Sequence, residues 1–182
     1  MSKMERIEPL ISAEEIQARV AEMAREINKD YENKSILLMG TLKGAYIFMA
    51  DLSRQLTPPT EIDCLKVSSY GDSTSPISQV AFDQRPSVPL EGKHVLLVED
   101  IVDTGHTLAY LRRYLNEQNL ASLRVCTLLD KPERRQAELP PSEYIGFEIP
   151  DKFVVGYGLD YAQRYRNLPY VGELIFEEVN KW

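Results

Sequence analysis

Two adjacent acids, Glu99 and Asp100, stand directly after the apolar run 95–98 and just before the small polar stretch Asp103-Thr104-Gly105-His106-Thr107. Those residue types in that order suit the grip on a sugar phosphate. Carboxylates at a strand end accept hydrogen bonds from ribose hydroxyls or share a metal ion. A turn of small residues that opens a helix presents free amides and the positive end of the helix dipole, where a phosphate fits. Gly105 allows close backbone approach, Thr104 and Thr107 add hydroxyls, and His106 contributes through its amide rather than its ring. Read by themselves, the bland alternatives are an Asx-type turn former for Asp103 and a solvated strand end for Lys131, whereas Phe153 and Val154 read more readily as core residues.

The elements that must position these residues are legible in the spacing. Ser12-Ala-Glu-Glu15 forms a capping box, and Ile16, Val20, Met23, Ala24 and Ile27 recur at helical spacing, which predicts an amphipathic first helix. Residues 36–39 predict a short strand, followed by a helical stretch through Phe48 and Leu52 that Pro58-Pro59 stops. Strands are expected over 62–67, 79–82, from His94, and over 123–129, with a helix over 108–115. Short strands are further expected over 144–149, 153–155 and 170–176. Strands alternating with helices imply an α/β fold with a mostly parallel central sheet flanked by helices, whose ligands bind at the carboxyl ends of strands. The stretch 68–78, rich in Ser, Thr and Gly around Tyr70, predicts a mobile loop.

A chain of 182 residues is long enough for one full core and short for two, so a single domain over 1–182 is expected. The net charge of -7 counts against nonspecific binding to nucleic acid or an anionic membrane, and an anionic substrate would need focused Lys and Arg. No apolar run reaches the length of a membrane span or a signal core, so the cytoplasm is the expected compartment. Cys64 and Cys126 lie in strand-like apolar runs and read as buried free thiols. His94 and His106 have no Cys partner at zinc-like spacing, which argues against a transition-metal site.

The segment from Val95 to Leu108 resembles the phosphoribosyl-diphosphate signature of the type I phosphoribosyltransferases. The acid at 103 resembles their 6-oxopurine (hypoxanthine-guanine) branch, since the adenine and orotate enzymes typically carry Ala there. Leu42-Lys43-Gly44, Ser69-Tyr70-Gly71, Leu129-Asp130-Lys131 and the run 153–160 recur in the family's order, so the likeness covers nearly the whole chain. It implies a small hood, built from N- and C-terminal segments and the strands expected over 144–149, 153–155 and 170–176. It implies transfer of a phosphoribosyl group from phosphoribosyl diphosphate to hypoxanthine or guanine, with release of pyrophosphate.

The residue roles that follow are likewise implied by the resemblance. Glu99 and Asp100 would hold the ribose hydroxyls directly or through Mg2+, and Asp160 would serve a second metal site or the guanine edge. Thr104, Gly105, His106 and Thr107 would cradle the 5-phosphate. Asp103 would handle the proton at purine N7, Lys131 would donate to the 6-oxygen, Phe153 would stack on the base and Val154 would present backbone to its edge. The amides of Lys43 and Gly44, exposed by a cis bond after Leu42, would meet pyrophosphate together with Arg166, whereas Arg164 reads as a surface residue. Ser69 and Tyr70 would begin a lid, although Ser75-Pro-Ile-Ser78 departs from the Ser-Ser-Gly of many bacterial members. A homodimer or homotetramer is implied, with no nucleic acid or membrane partner. A xanthine-preferring relative is one alternative. An RNA-binding regulator of the same fold is another, disfavoured by the acidic balance and Asp103. Neither Gly-rich fingerprint of the P-loop or Rossmann nucleotide binders is present.

Overall fold

Alternation along the central strands decides the layering. Val95, Leu96, Leu97 and Val98 are all fully buried, so their strand must be covered on both faces. In the computed structural model, which describes residues 3–70 and 79–178, that strand is β5 (His94–Val102). Its neighbours are β2 (Ile36–Thr41) and β6 (Ser122–Asp130), both parallel to it. Leu96 and Val98 join Leu38 and Cys126 against one helical layer, whereas Val95 and Leu97 join Leu37, Met39 and Val125 against the other. Period-two strands thus carry two apolar faces in one sequence run.

The first layer holds α1 (Ala13–Asp30) and α2 (Tyr46–Ser53), and the second holds α3 (His106–Asn116). Helix α1 begins where the capping box predicts: the Glu15 amide donates to Ser12 Oγ at 3.2 Å and the Ser12 amide to Glu15 Oε2 at 2.8 Å. Its buried face is Ile16, Val20, Met23, Ala24 and Ile27, the residues set by the spacing. Helix α2 ends at Ser53, short of the prolines expected to stop it. Pro59 instead lends its carbonyl to the Ile36 amide at 2.9 Å, at the start of β2.

The main sheet runs β4-β3-β2-β5-β6-β7, with β3 (Thr60–Tyr70), β4 (Gln79–Gln84) and β7 (Tyr144–Glu148) completing it. Only β4 is antiparallel, a return of the chain after the segment 71–78. That segment, most of the loop expected to be mobile, lies outside the described residues.

A second sheet of order β1-β9-β8 forms the hood, from β1 (Lys3–Ile11), β8 (Val154–Val155) and β9 (Val171–Glu178). The expected strand over 144–149 is not part of it. As β7 it pairs in parallel with β6, since Tyr144 is buried and Gly146 passes the Leu128 carbonyl where a Cβ would come within 2.4 Å. Strand β1 is an element that spacing did not suggest, because its register with β9, rather than an apolar run, defines it. Among the described residues no helix is long and apolar enough to cross a membrane.

Candidate active site

Strand order reverses between β2 and β5: the chain moves outward from β2 to β3 and β4, then returns to continue through β5, β6 and β7. A crevice opens at the carboxyl ends of strands on either side of such a reversal. Thr41 ends β2, Glu99 and Asp100 lie near the end of β5, and Lys131 follows the end of β6. The fold therefore brings these groups to one edge of the sheet. A cavity of about 270 Å³ lies against residues 99–105 and Thr107, and a second of about 270 Å³ shares Glu99, Asp100 and Thr107 and extends to Gly44, Asp160 and Arg166.

Glu99 is 5% exposed, with Oε2 accepting the Thr41 hydroxyl at 2.7 Å. Its Oε1 is buried and has no partner among the described residues. Burial, then the charge of neighbouring Asp100, pushes the Glu99 carboxyl up to about 8. Burial also raises Asp100, to about 6, with the Ile101 amide and the Arg166 charge opposing. A buried acid with an orphaned oxygen, next to a second, half-buried acid, needs a donor or a cation from outside. Gly44 packs so closely that a Cβ there would lie 1.6 Å from Asp100 Oδ2. The Leu42–Lys43 bond that precedes it is cis.

The turn expected to cradle a phosphate opens α3. Gly105 has φ 87°, a left-handed conformation natural to glycine, and no side chain caps the helix, so its first amides stay open. The loop is held from behind: the amides of Gln136 and Ala137 both donate to the Thr104 carbonyl at 3.0 Å. The Lys131 amide donates to the Val102 carbonyl at 3.0 Å. Lys131 itself is 6% exposed and not a solvated strand end, with Nζ 3.8 Å from Asp151 Oδ1. Asp103 is half-exposed and accepts Arg134 Nε at Oδ1, 3.0 Å away. His106 Nε2 lies 3.4 Å from Gln136 Oε1.

The far wall comes from the hood and the loop 156–168. Val154 is buried in β8, opposite Glu173 of β9, whereas Phe153 is exposed and meets the Tyr161 ring edge-on at 5.7 Å. Asp160 and Arg166 pair at 2.7 Å, Arg166 also donates to the Gly158 carbonyl at 2.7 Å, and the Gln163 amide caps Asp160 at 2.8 Å. Lys43 reaches across to Gln163 at 3.3 Å. Arg164 is exposed and pairs with Glu5, away from the cavities. Ser69 and Tyr70 end β3 beside β4, and their side chains lie outside the described residues. Cys64 and Cys126 are free thiols.

Among the described residues no cluster of three or more His, Cys, Asp or Glu side chains forms a metal cage. The donor set still fits a hard cation that keeps several waters and borrows substrate oxygens: Glu99 Oε1 is orphaned, and Asp100 and Asp160 face the same cavity. Residue type alone did not reveal Thr41, Arg134 or Asp151. Each matters through a partner distant in sequence, and nothing local marks it.

Residues 12–162 match the phosphoribosyl transferase domain. The chain is 48% identical to the hypoxanthine phosphoribosyltransferase of Haemophilus influenzae, covering 97% of this chain and 99% of that one. It is 47% identical to the hypoxanthine-guanine phosphoribosyltransferase of Bacillus subtilis, over 91% of each. A crystal structure of a hypoxanthine-guanine phosphoribosyltransferase from Bacillus anthracis superimposes with a TM-score of 0.88 at 41% identity, covering 94% of this chain and all of that one. A cleft at the strand-order reversal, an uncapped start of α3 beside it and likeness over nearly the full length agree, and the chain belongs to the phosphoribosyl transferase domain family.

Proposed function

We propose that this chain is a purine-salvage enzyme that transfers the 5-phosphoribosyl group from phosphoribosyl diphosphate to hypoxanthine or guanine, giving IMP or GMP and pyrophosphate. The observation that carries the reading is the buried ammonium of Lys131, tied through its own backbone to the phosphate loop. A buried charge needs an acceptor, and the 6-oxygen of an oxopurine is one that adenine lacks.

Chemistry at the anomeric carbon follows from the surrounding groups. The open amides at the start of α3 and the hydroxyls of Thr104 and Thr107 hold the 5-phosphate. Glu99 and Asp100 accept hydrogen bonds from the ribose 2- and 3-hydroxyls, which supply the donor that Glu99 Oε1 lacks. Purine N9 forms its bond to C1 as the bond to pyrophosphate breaks, and positive charge develops on the sugar, as in glycoside hydrolysis. Asp103 takes the N7 proton, a task that needs reach rather than a large pKa shift. Pyrophosphate departs toward the amides of Lys43 and Gly44 and the guanidinium of Arg166. Phe153 stacks on the base and Val154 meets its edge with backbone groups. Mg2+, held by Glu99, Asp100 and Asp160 with substrate oxygens, would supply charge neutralisation for the leaving group.

The test is an assay of purified protein with phosphoribosyl diphosphate, magnesium and each of hypoxanthine, guanine, xanthine and adenine. IMP or GMP formation is expected, with adenine inert. Transfer to xanthine alone, or to no base, would overturn the reading.

A further inference from the structure

The short turn Pro132–Arg134 follows Lys131 directly, and it is a 3-10 turn, so side chains three residues apart project to one side. Arg134 therefore shares a side with Lys131, and the Arg134 amide donates to the Lys131 carbonyl at 3.1 Å. Its Nε donates to Asp103 Oδ1 at 3.0 Å and its Nη1 to Asp151 Oδ2 at 3.4 Å. The other oxygen of Asp151 stands 3.8 Å from Lys131 Nζ. The four groups form a line of alternating charge, Asp103, Arg134, Asp151, Lys131. Its two ends are the residues assigned above to purine N7 and to the purine 6-oxygen.

We propose that Arg134 is a positioning residue for the base: its fork fixes the Asp103 carboxylate and, through Asp151, fixes where Lys131 stands. Only Oδ1 of Asp103 is engaged among the described residues, which leaves Oδ2 for the imidazole edge. A planar guanidinium can hold two carboxylates at set angles, as a lysine ammonium cannot. The spacing of the two base contacts is thereby set by the protein before the purine arrives. The side chains of Arg134, Asp103 and Asp151 are 43%, 40% and 49% exposed, so these ion pairs add little to stability. Their effect belongs in kinetics on the base side.

This inference rests on the assignment of Asp103 and Lys131 under the proposed function, and the experiment separates the two. R134Q, R134K, D103N and the double variant D103N/R134Q are assayed with hypoxanthine and phosphoribosyl diphosphate, and their Tm values are measured. R134Q is expected to lower kcat/KM for hypoxanthine roughly 10-fold through misplacement of the base contacts, with KM for phosphoribosyl diphosphate within about 2-fold and Tm nearly unchanged. R134K should fall between R134Q and the parent protein. In the D103N background R134Q should cost clearly less than it does in the parent protein, because only the Lys131 contact is then left for Arg134 to position. Near-native turnover by D103N would overturn the proposed role of Asp103. If D103N is crippled but R134Q is near-native, additive with D103N, or equally damaging to both substrates, the positioning role of Arg134 alone is overturned.

Discussion

Lys131 shows how burial changes what a residue type means. A lysine at a strand end is ordinarily solvated, yet here it is 6% exposed, with a carboxylate 3.8 Å away that does not fully engage it. Such an ammonium is poised to donate to a carbonyl oxygen and repels the hydrogens of an amino group. K131A should therefore lower the ratio of hypoxanthine to adenine turnover by roughly 10-fold or more, the scale of one lost charged hydrogen bond, while KM for phosphoribosyl diphosphate changes little. Competition kinetics with the two bases measures it, and an unchanged ratio would reduce Lys131 to a structural cation. At this scale the sequence singled out Glu99, Asp100, Asp103 and Gly105, which stand together in the single run 99–105. It was silent on Thr41 and Arg134, whose partners lie 58 and 31 residues away. Pairings made by tertiary closure leave no periodic trace.

Among the elements, α1 and the central strands were readable because a cap and a repeat are local physics. The edges were not. Alternation tells which face of a strand is buried but not which sheet receives it, so 144–149 could be expected in the hood while belonging beside β6. A strand such as β1 carries still less signal, since backbone pairing with β9 holds most of it and apolar burial is confined to its end, at Leu10 and Ile11. Strand β3 illustrates a tie that only three dimensions supply. Asp63, nearly buried, accepts the amides of Cys64, Ser87 and Val88 at 2.8, 2.7 and 3.3 Å and the Ser87 hydroxyl at 2.9 Å, pinning the approach to β5. Burial acts to raise the Asp63 carboxyl, but these donors outweigh it and the net shift is downward from 3.8. A depressed folded pKa contributes stability that is present above the unfolded value and is lost as pH falls through the folded one. D63A should therefore cost about 2 kcal/mol at pH 7, and urea titrations should show that difference shrinking as pH drops below about 4. A gap that stays constant to pH 3 would contradict the ionised tie.

For the molecule as a whole, two sheets divide the labour. The main sheet carries Glu99, Asp100 and the turn that opens α3, whereas β8 and the loop 156–168 bring Val154, Asp160 and Arg166. Strand β1 braces that second part twice, by pairing with β9 and through Glu5, which receives Arg164 at 2.7 Å and the Tyr165 hydroxyl. Deleting residues 1–10 should raise KM for hypoxanthine roughly 10-fold while affinity for ribose 5-phosphate, read by calorimetry, stays within about 2-fold. Equal losses in both would mean that the hood and the cradle stand or fall together. The register of β1 with β9, Lys3 opposite Glu178, also bears on biosynthesis. A chain made from its N-terminus folds the early parts first, yet this strand finds its partner only in β9, after all the strands of the main sheet. On the ribosome the main sheet can be finished while β1 trails as an unpaired edge, its Glu5, Arg6 and Glu8 keeping it in water and discouraging pairing with other chains. Translation itself then times the second sheet, which closes only once β9 emerges.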